Sequence, residues 1–410
     1  MSTGTPGLPR IAFVGRDRQL YAVGVDEAGP VQVTWSHLAG GLEAVGGPAA
    51  DATAWPCWSP DGRWLMGFRA SERGKAAQLF IAEVGGVEER SLFDSEDEHP
   101  IYASWSPDGQ RIGLLSQQDE ELQLSVIEVR TGTRRLVDQG VPLFFTWAPD
   151  STSVLVHSGG REGRPGRLAR RTVLGTGEDH AYPAGPGSFC APVVIRSVPP
   201  RVVFATASPG AVSHICLSDL DGEQPCHLAT QRGLLALLAD RTGAHLAVAS
   251  APKGNGTPYE GFGIYQIETG QVQPATTRPL LAFFWCRPNR LVYASLDAKA
   301  GCARWTRVEL DASGEAQERE LVSFWPTREQ VFLLHFFEQF AESHPIVDAS
   351  GRYLCWAGHA DPSLPPSPEG SLDDTGKPHP GIFCLDLDQP DLPPRRLASG
   401  SIATFGPSAA

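Results

Sequence analysis

Lysine is scarce in this chain. Only Lys75, Lys253, Lys299 and Lys377 occur among 34 basic residues, against 47 acidic ones. The arginine preference reads as codon bias rather than as a selected surface property. A net charge of −13 argues against a nucleic-acid binder, which needs a basic face to displace counterions, so no nucleic-acid partner is expected. No apolar run approaches the roughly 18 residues of a membrane-spanning helix. The opening Met1-Ser2-Thr3-Gly4-Thr5-Pro6-Gly7-Leu8-Pro9-Arg10 has neither the basic nor the apolar region of a secretory signal, which points to the cytoplasm. The eight cysteines (57, 190, 216, 226, 286, 302, 355, 384) include no close pair of metal-ligand or redox spacing. Reduced thiols acting as small buried hydrophobes are expected, with no metal and no cofactor.

Linear catalytic motifs are also missing. There is no Gly-x-Ser-x-Gly elbow for a serine nucleophile. There is no His-Glu-x-x-His, and Gly74-Lys75 lacks the earlier glycine of a phosphate-binding loop. His99 and His344 each precede a proline near the start of an expected inner strand. His99 stands six residues before Trp105 and His344 three before Val347, so they are not equivalent and give no symmetric metal ring. No catalytic residue is assigned.

What the chain does have is a repeated phrase. Trp58-Ser59-Pro60-Asp61-Gly62 returns as Trp105-Ser106-Pro107-Asp108-Gly109 and as Trp147-Ala148-Pro149-Asp150, at steps of 47 and 42 residues. Steps of that length mark stacked supersecondary units. Ser-Pro-Asp-Gly suits a type I turn position by position. Two-residue alternation follows, as in Gln78 to Val84 and Gln123 to Val129, which reads as strands with distinct faces. A short fourth run such as Arg134 to Val137 closes the unit. Four antiparallel strands per repeat make a propeller blade. The 44 glycines and 35 prolines are then turn punctuation rather than a sign of disorder.

Decayed copies follow the same grammar. Third-strand runs recur at Gln19 to Val25, Arg167 to Val173, His214 to Leu220, Gly263 to Glu268, Arg304 to Leu310 and Gly381 to Leu387. The phrase position recurs near Ile195, Leu238, Trp285, Val347 and Phe405. Both series reach eight, so the expected fold is an all-β, eight-bladed propeller occupying residues 1–410 as one domain, with seven blades as the alternative. Arg10 to Val14 reads as a second strand, and Ser401 to Pro407 as a first strand. Their pairing would complete one blade from both ends and close the ring.

The Trp-Ser-Pro-Asp-Gly phrase, the apolar strand after it and the Leu-x-Ile-x-Val-like third strand resemble the TolB-type, WD-like propeller repeat, over nearly the whole chain and most clearly over 52–158. The resemblance implies the fold. That family includes periplasmic partner-binding proteins, the propeller halves of prolyl-oligopeptidase-type peptidases and enzymes with sites in the channel, so it implies no single activity. Its recurring residues are structural and carry over no catalytic set.

Function is expected where the repeat is broken. Trp285 to Val347 is 62 residues, about 15 more than a usual step, and residues 326–343 read as an amphipathic helix inserted between blades seven and eight. Thr327 is its expected N-cap, with Gln330 placed for a capping box. Phe332, Leu333, Phe336, Phe337 and Phe340 fall on one helical face, widened by Val331 and Leu334. This face either packs across the end of the propeller or docks a protein partner. Residues 359–380 of blade eight, with six prolines, read as a long loop. Arg161, Arg164 and Arg167 belong to an arginine-rich hairpin that is either solvated or suited to an acidic partner. Glu96-Asp97-Glu98 and Asp119-Glu120-Glu121 read as solvated loops. The functional expectation is a non-enzymatic protein-interaction scaffold or accessory subunit. The alternative is a small-molecule-binding protein or an enzyme of hydrolase or lyase type with its site in the central channel.

Overall fold

The computed structural model describes residues 8–26, 29–34, 52–70, 77–159, 165–174, 179–208, 212–251, 258–297, 301–311, 315–360 and 379–407. The described residues form five four-stranded antiparallel sheets and one of ten strands. Each four-stranded sheet is built from consecutive strands, as in Ala52–Trp58, Trp64–Ala70, Ala77–Glu83 and Glu89–Ser95. The strands that open the sheets are Ala52–Trp58, Glu98–Trp105, Leu143–Trp147, Val193–Ile195, Leu234–Ala239 and Ala282–Arg287. Each of these lies at one edge of its sheet.

The repeated phrase makes the corner between the first and second strands. The Gly62 amide donates to the Ser59 carbonyl at 2.9 Å, and the Gly109 amide to Ser106 at 2.9 Å, which closes a four-residue turn. Gly62 and Gly109 sit at φ of 70° and 69°, where a side chain would be strained. The serine and aspartate side chains lock the corner from inside. Ser59 Oγ accepts from Trp64 N at 2.9 Å while Asp61 Oδ1 accepts from Arg63 N at 3.0 Å. The second copy repeats this at Arg111 N and Gln110 N.

The tryptophans tie one sheet to the previous one. Trp105 Nε1 donates to Cys57 O at 3.3 Å, Trp147 Nε1 to Ser104 O at 3.3 Å and Trp285 Nε1 to Leu238 O at 3.0 Å. Cys57 and Ser104 each precede a phrase tryptophan. By the same geometry Leu238 precedes the phrase position, which is therefore Ala239. The pairing agrees, since Ala239 stands opposite Leu246 as Trp58 stands opposite Leu65. The sequence assignment to Leu238 was one residue early, because a run of apolar residues hides the register.

The ten-stranded sheet arises where two strands serve two neighbours. Ala316–Pro326 pairs with Cys302–Leu310 along most of its length and, at its end, places Phe324 to Pro326 opposite Gly358 to Ala360. Arg395–Phe405 pairs with Gly381–Asp386 through its first half, while Gly400 to Phe405 lie opposite Arg10–Gly15. The N-terminal strand Arg10–Gly15 therefore lies between the last strand and Leu20–Gly24. The apolar core lies between sheets, with Phe13, Phe80, Phe145, Phe204, Phe283, Trp305 and Trp356 fully buried.

The indole bridges are testable. Trp105→Phe keeps the aromatic body and removes the donor to Cys57 O. It should lower the unfolding free energy by about 1–3 kcal/mol with an unchanged denaturant slope, measured by urea titration.

Candidate functional site

The largest departure from the repeat interrupts an inner strand instead of preceding it. The chain leaves the sheet at Pro326, forms helices α1 (Arg328–His335) and α2 (Phe337–Phe340), and returns at Ile346 and Val347. The return is a strand in all but length. Val347 bridges Leu354, Cys355 N donates to Ile346 O at 2.8 Å, and Asp348 N donates to Tyr353 O at 3.0 Å.

Thr327 caps α1, accepting from Gln330 N at 3.1 Å, and its own hydroxyl donates to Ser401 O. The Gln330 side chain does not return to Thr327 as a capping box would. Its Oε1 accepts from Ala357 N at 3.0 Å, so it fixes the helix to the neighbouring strand instead. The single helix read from the sequence is broken at Phe336, where φ is −112° and ψ is 31°. The break separates the apolar residues of α1 from those of α2.

This insert reaches the opening strand of sheet after sheet. Trp55, in the first sheet, stacks on Phe340 with ring centroids 4.9 Å apart and meets Phe332 at 5.3 Å. A bulge between Ala54 and Cys57 and a φ of 56° turn Trp55 toward it. Tyr102, in the second, donates to Gln339 O at 3.0 Å and packs edge-on against Phe340. Gln339 Nε2 donates to Phe145 O of the third at 3.1 Å. Phe337 packs against Phe283 and Phe284 of Ala282–Arg287, at 4.9 and 5.7 Å. On the return, Pro345 O accepts from Phe405 N at 2.7 Å. A segment that touches the same edge of so many sheets lies where those edges converge.

No family model and no curated protein matches the chain. Solved structures do match. A prolyl endopeptidase superposes with a TM-score of 0.58 at 11% identity, over 86% of this chain and 50% of its own. TolB from Acinetobacter baumannii matches at a TM-score of 0.41 and 16% identity, over 78% of this chain and 65% of its own.

The fold is a β-propeller.

An oligogalacturonate lyase from Vibrio parahaemolyticus is similar at a TM-score of 0.46 and 10% identity, over 97% of this chain and 87% of its own. This chain thus spans half of the endopeptidase and 65% of the TolB chain, and at these identities the likeness concerns fold. In a propeller the opening strands wall the central channel. The insert is therefore a plug in that channel.

The candidate residues divide accordingly. Leu333, Phe337 and Phe340 are buried, and Phe336 is half-buried. Phe332 is 40% exposed and Val331 47%, so together they form the open apolar face of the plug. Arg167 is half-buried and bound to the buried Asp138, which also takes Arg171 Nε at 2.9 Å. Arg161, Arg164 and most of the 359–380 loop lie outside the described residues. Glu98 corrects the sequence reading. It is buried rather than solvated, and it pairs with Arg134 and accepts from Ser116. Against the cost of burial, those partners hold it below its usual value. His99 is exposed, whereas His344 is buried beside Ser343, whose Oγ lies 2.9 Å from its Nδ1. Burial pushes His344 down to about 4, so it is neutral at pH 7. Among the described residues no group of three His, Cys, Asp or Glu could hold a metal ion.

The plug carries one uncompensated acid. Glu338 projects from α2, and its Oε2 is buried without a hydrogen-bond partner among the described residues. Desolvation raises its carboxyl to about 8, opposed only by a bond from the Leu237 backbone. Burial raises Cys190 and Tyr259, and the nearby Glu338 raises both further. Sequence reasoning missed Glu338 because its position on an amphipathic helix reads as a polar face. The residue is half-buried, and tertiary packing alone buries its carboxyl oxygen.

A carboxyl raised in the folded state holds its proton more tightly there than in the unfolded chain. Its cost is absent below about pH 4.5, grows as pH rises toward 8 and is constant above that. Glu338→Gln should therefore gain stability over the parent by up to about 1.4 kcal/mol per pH unit across that window, with no difference at pH 4. Denaturant titrations at pH 4, 6 and 8 measure it, and a gain independent of pH would refute the assignment.

Proposed function

We propose that this protein is a non-enzymatic interaction scaffold: an eight-bladed propeller, closed through the pairing of Arg395–Phe405 with Arg10–Gly15, that binds a protein partner on its outer surfaces. The observation that carries the reading is the plug. Side chains of α1 and α2 occupy the position where a channel enzyme would hold its substrate, and they bond to the walls on several sides. The surface left for a partner at this end is Val331 and Phe332, flanked by the half-buried Phe336 and Trp55. In this reading Phe332 and Phe336 are contact residues, and Leu333, Phe337 and Phe340 act by holding α1 and α2 in place. Arg161 and Arg164, in the arginine-rich segment that precedes Arg167, are in this reading contacts for an acidic partner. All eight cysteines are unpaired, which fits a reducing compartment such as the cytoplasm.

The alternative, a hydrolase or lyase acting in the channel, would require the plug to leave. The test is a double substitution, Val331→Ser with Phe332→Ser, in the full chain. Both side chains are substantially exposed, so melting should change little, while a partner recovered by the parent protein in affinity purification from native cells should be lost. Retention of the partner by a folded double variant overturns the role of this face. Turnover of a peptide or an oligogalacturonate by the purified protein overturns the scaffold reading itself.

A further inference from the structure

Two of the cysteines stand directly opposite one another. Cys355, in Tyr353–Ala360, is the register partner of Cys384 in Gly381–Asp386. The backbone shows which kind of pair they form. Cys355 N–H is directed to the other side of its strand, where it donates to Ile346 O at 2.8 Å. In an antiparallel sheet a residue's N–H and C=O share one side, so the Cys355–Cys384 pair is not hydrogen-bonded. Such pairs bring Cα atoms to about 4.5 Å with both side chains on one face. A disulfide spans Cα separations of about 4.4–6.8 Å. Both thiols are free and lie in the interior, Cys355 fully buried and Cys384 6% exposed. Among the described strands no other two cysteines are register partners. Cys57 faces Met66, Cys216 faces His227, Cys226 faces Leu217 and Cys302 faces Asp297.

We propose that Cys355 and Cys384 are an oxidisable dithiol that closes to a disulfide by exchange with a low-molecular-weight disulfide such as oxidised glutathione. The Cys384 thiolate, the less buried of the two, attacks one sulfur of the reagent. That forms a mixed disulfide and releases one reduced thiol. The Cys355 thiolate then attacks Cys384 Sγ, forming the intramolecular bond and releasing the second reduced thiol. The two cysteine protons pass to the two released thiols, and the two electrons lost by the cysteines reduce the reagent. Arg395 lies near Cys384 and favours its thiolate, but burial dominates and holds it at about 12, so exchange accelerates as pH rises. The product links Tyr353–Ala360 to Gly381–Asp386 beside Ile346, where the chain returns from the plug. It also closes the segment from Cys355 to Cys384, which restricts the unfolded chain and favours the folded one.

The experiment uses the folded full-length chain, incubated with oxidised glutathione at pH 8.5, then denatured and alkylated for mass spectrometry. The expected result is a loss of two of the eight alkylatable thiols. Before alkylation the intact chain should be lighter by about 2 Da, from the two lost hydrogens. One cross-linked peptide should contain Cys355 and Cys384, and the melting temperature should rise by several degrees. Cys384→Ala and Cys355→Val should each abolish the cross-link, whereas Cys226→Ser should leave it unchanged. If Cys355→Val fails to fold, Cys384→Ala decides. Eight alkylatable thiols after native incubation, a persistent glutathione adduct at Cys384, or a cross-link joining other cysteines would each overturn the proposal.

Discussion

The centre of this molecule depends on how the bare edges of the opening strands are covered. A strand at the edge of a sheet offers unpaired carbonyl and amide groups together with apolar side chains. Where several such edges face one another, both kinds of group need a partner. The plug supplies both. Leu333, Phe337 and Phe340 meet the apolar side chains, and burial of groups this size contributes about 1.5–3 kcal/mol each. Gln339, Gln330 and Thr327 meet backbone groups of three different strands. Each of the three would be costly to bury unpaired, and each is placed where a strand has a group to spare.

The blades were legible in the sequence because their determinants are local. Ser-Pro-Asp-Gly specifies its turn from four consecutive residues, and Gln78 to Val84 shows its two faces by alternation alone. The end-to-end pairing of Arg10–Gly15 with Arg395–Phe405 was legible for a different reason, since each end lacked a strand that the other supplied. The plug was legible as a helix and as an apolar face, but not in its position. Tyr102 and Gln339 are 237 residues apart, and Phe145 and Gln339 are 194 apart. No periodicity records contacts at that range. The break at Phe336 and the burial of the Glu338 carboxyl oxygen follow from those contacts, so they were hidden with them. Glu98 was misread by the same logic, because its partner Arg134 belongs to a different strand of its sheet.

The arginine preference gains a structural use. Arg287 and Arg290 both grip Asp388, a residue of the next repeat, through bonds of 2.6–3.0 Å, and Arg290 also holds Glu309. Arg170 bridges Asp150 and Asp221 across two repeats. A planar fork with several donors suits such shared sites better than a lysine point charge. Asp388 is correspondingly held at about 2.

Repeat arrays usually melt as a row of neighbours, each unit coupled only to the next, so that a weakened unit can open while distant ones persist. The plug changes that wiring. It bonds or stacks onto several opening strands, so units far apart in sequence share one common contact. Coupling through a hub makes loss of any one spoke felt by all the others at once. The molecule is then expected to unfold as a single cooperative body despite its modular sequence, and the insert that interrupts the repeat is what unites it.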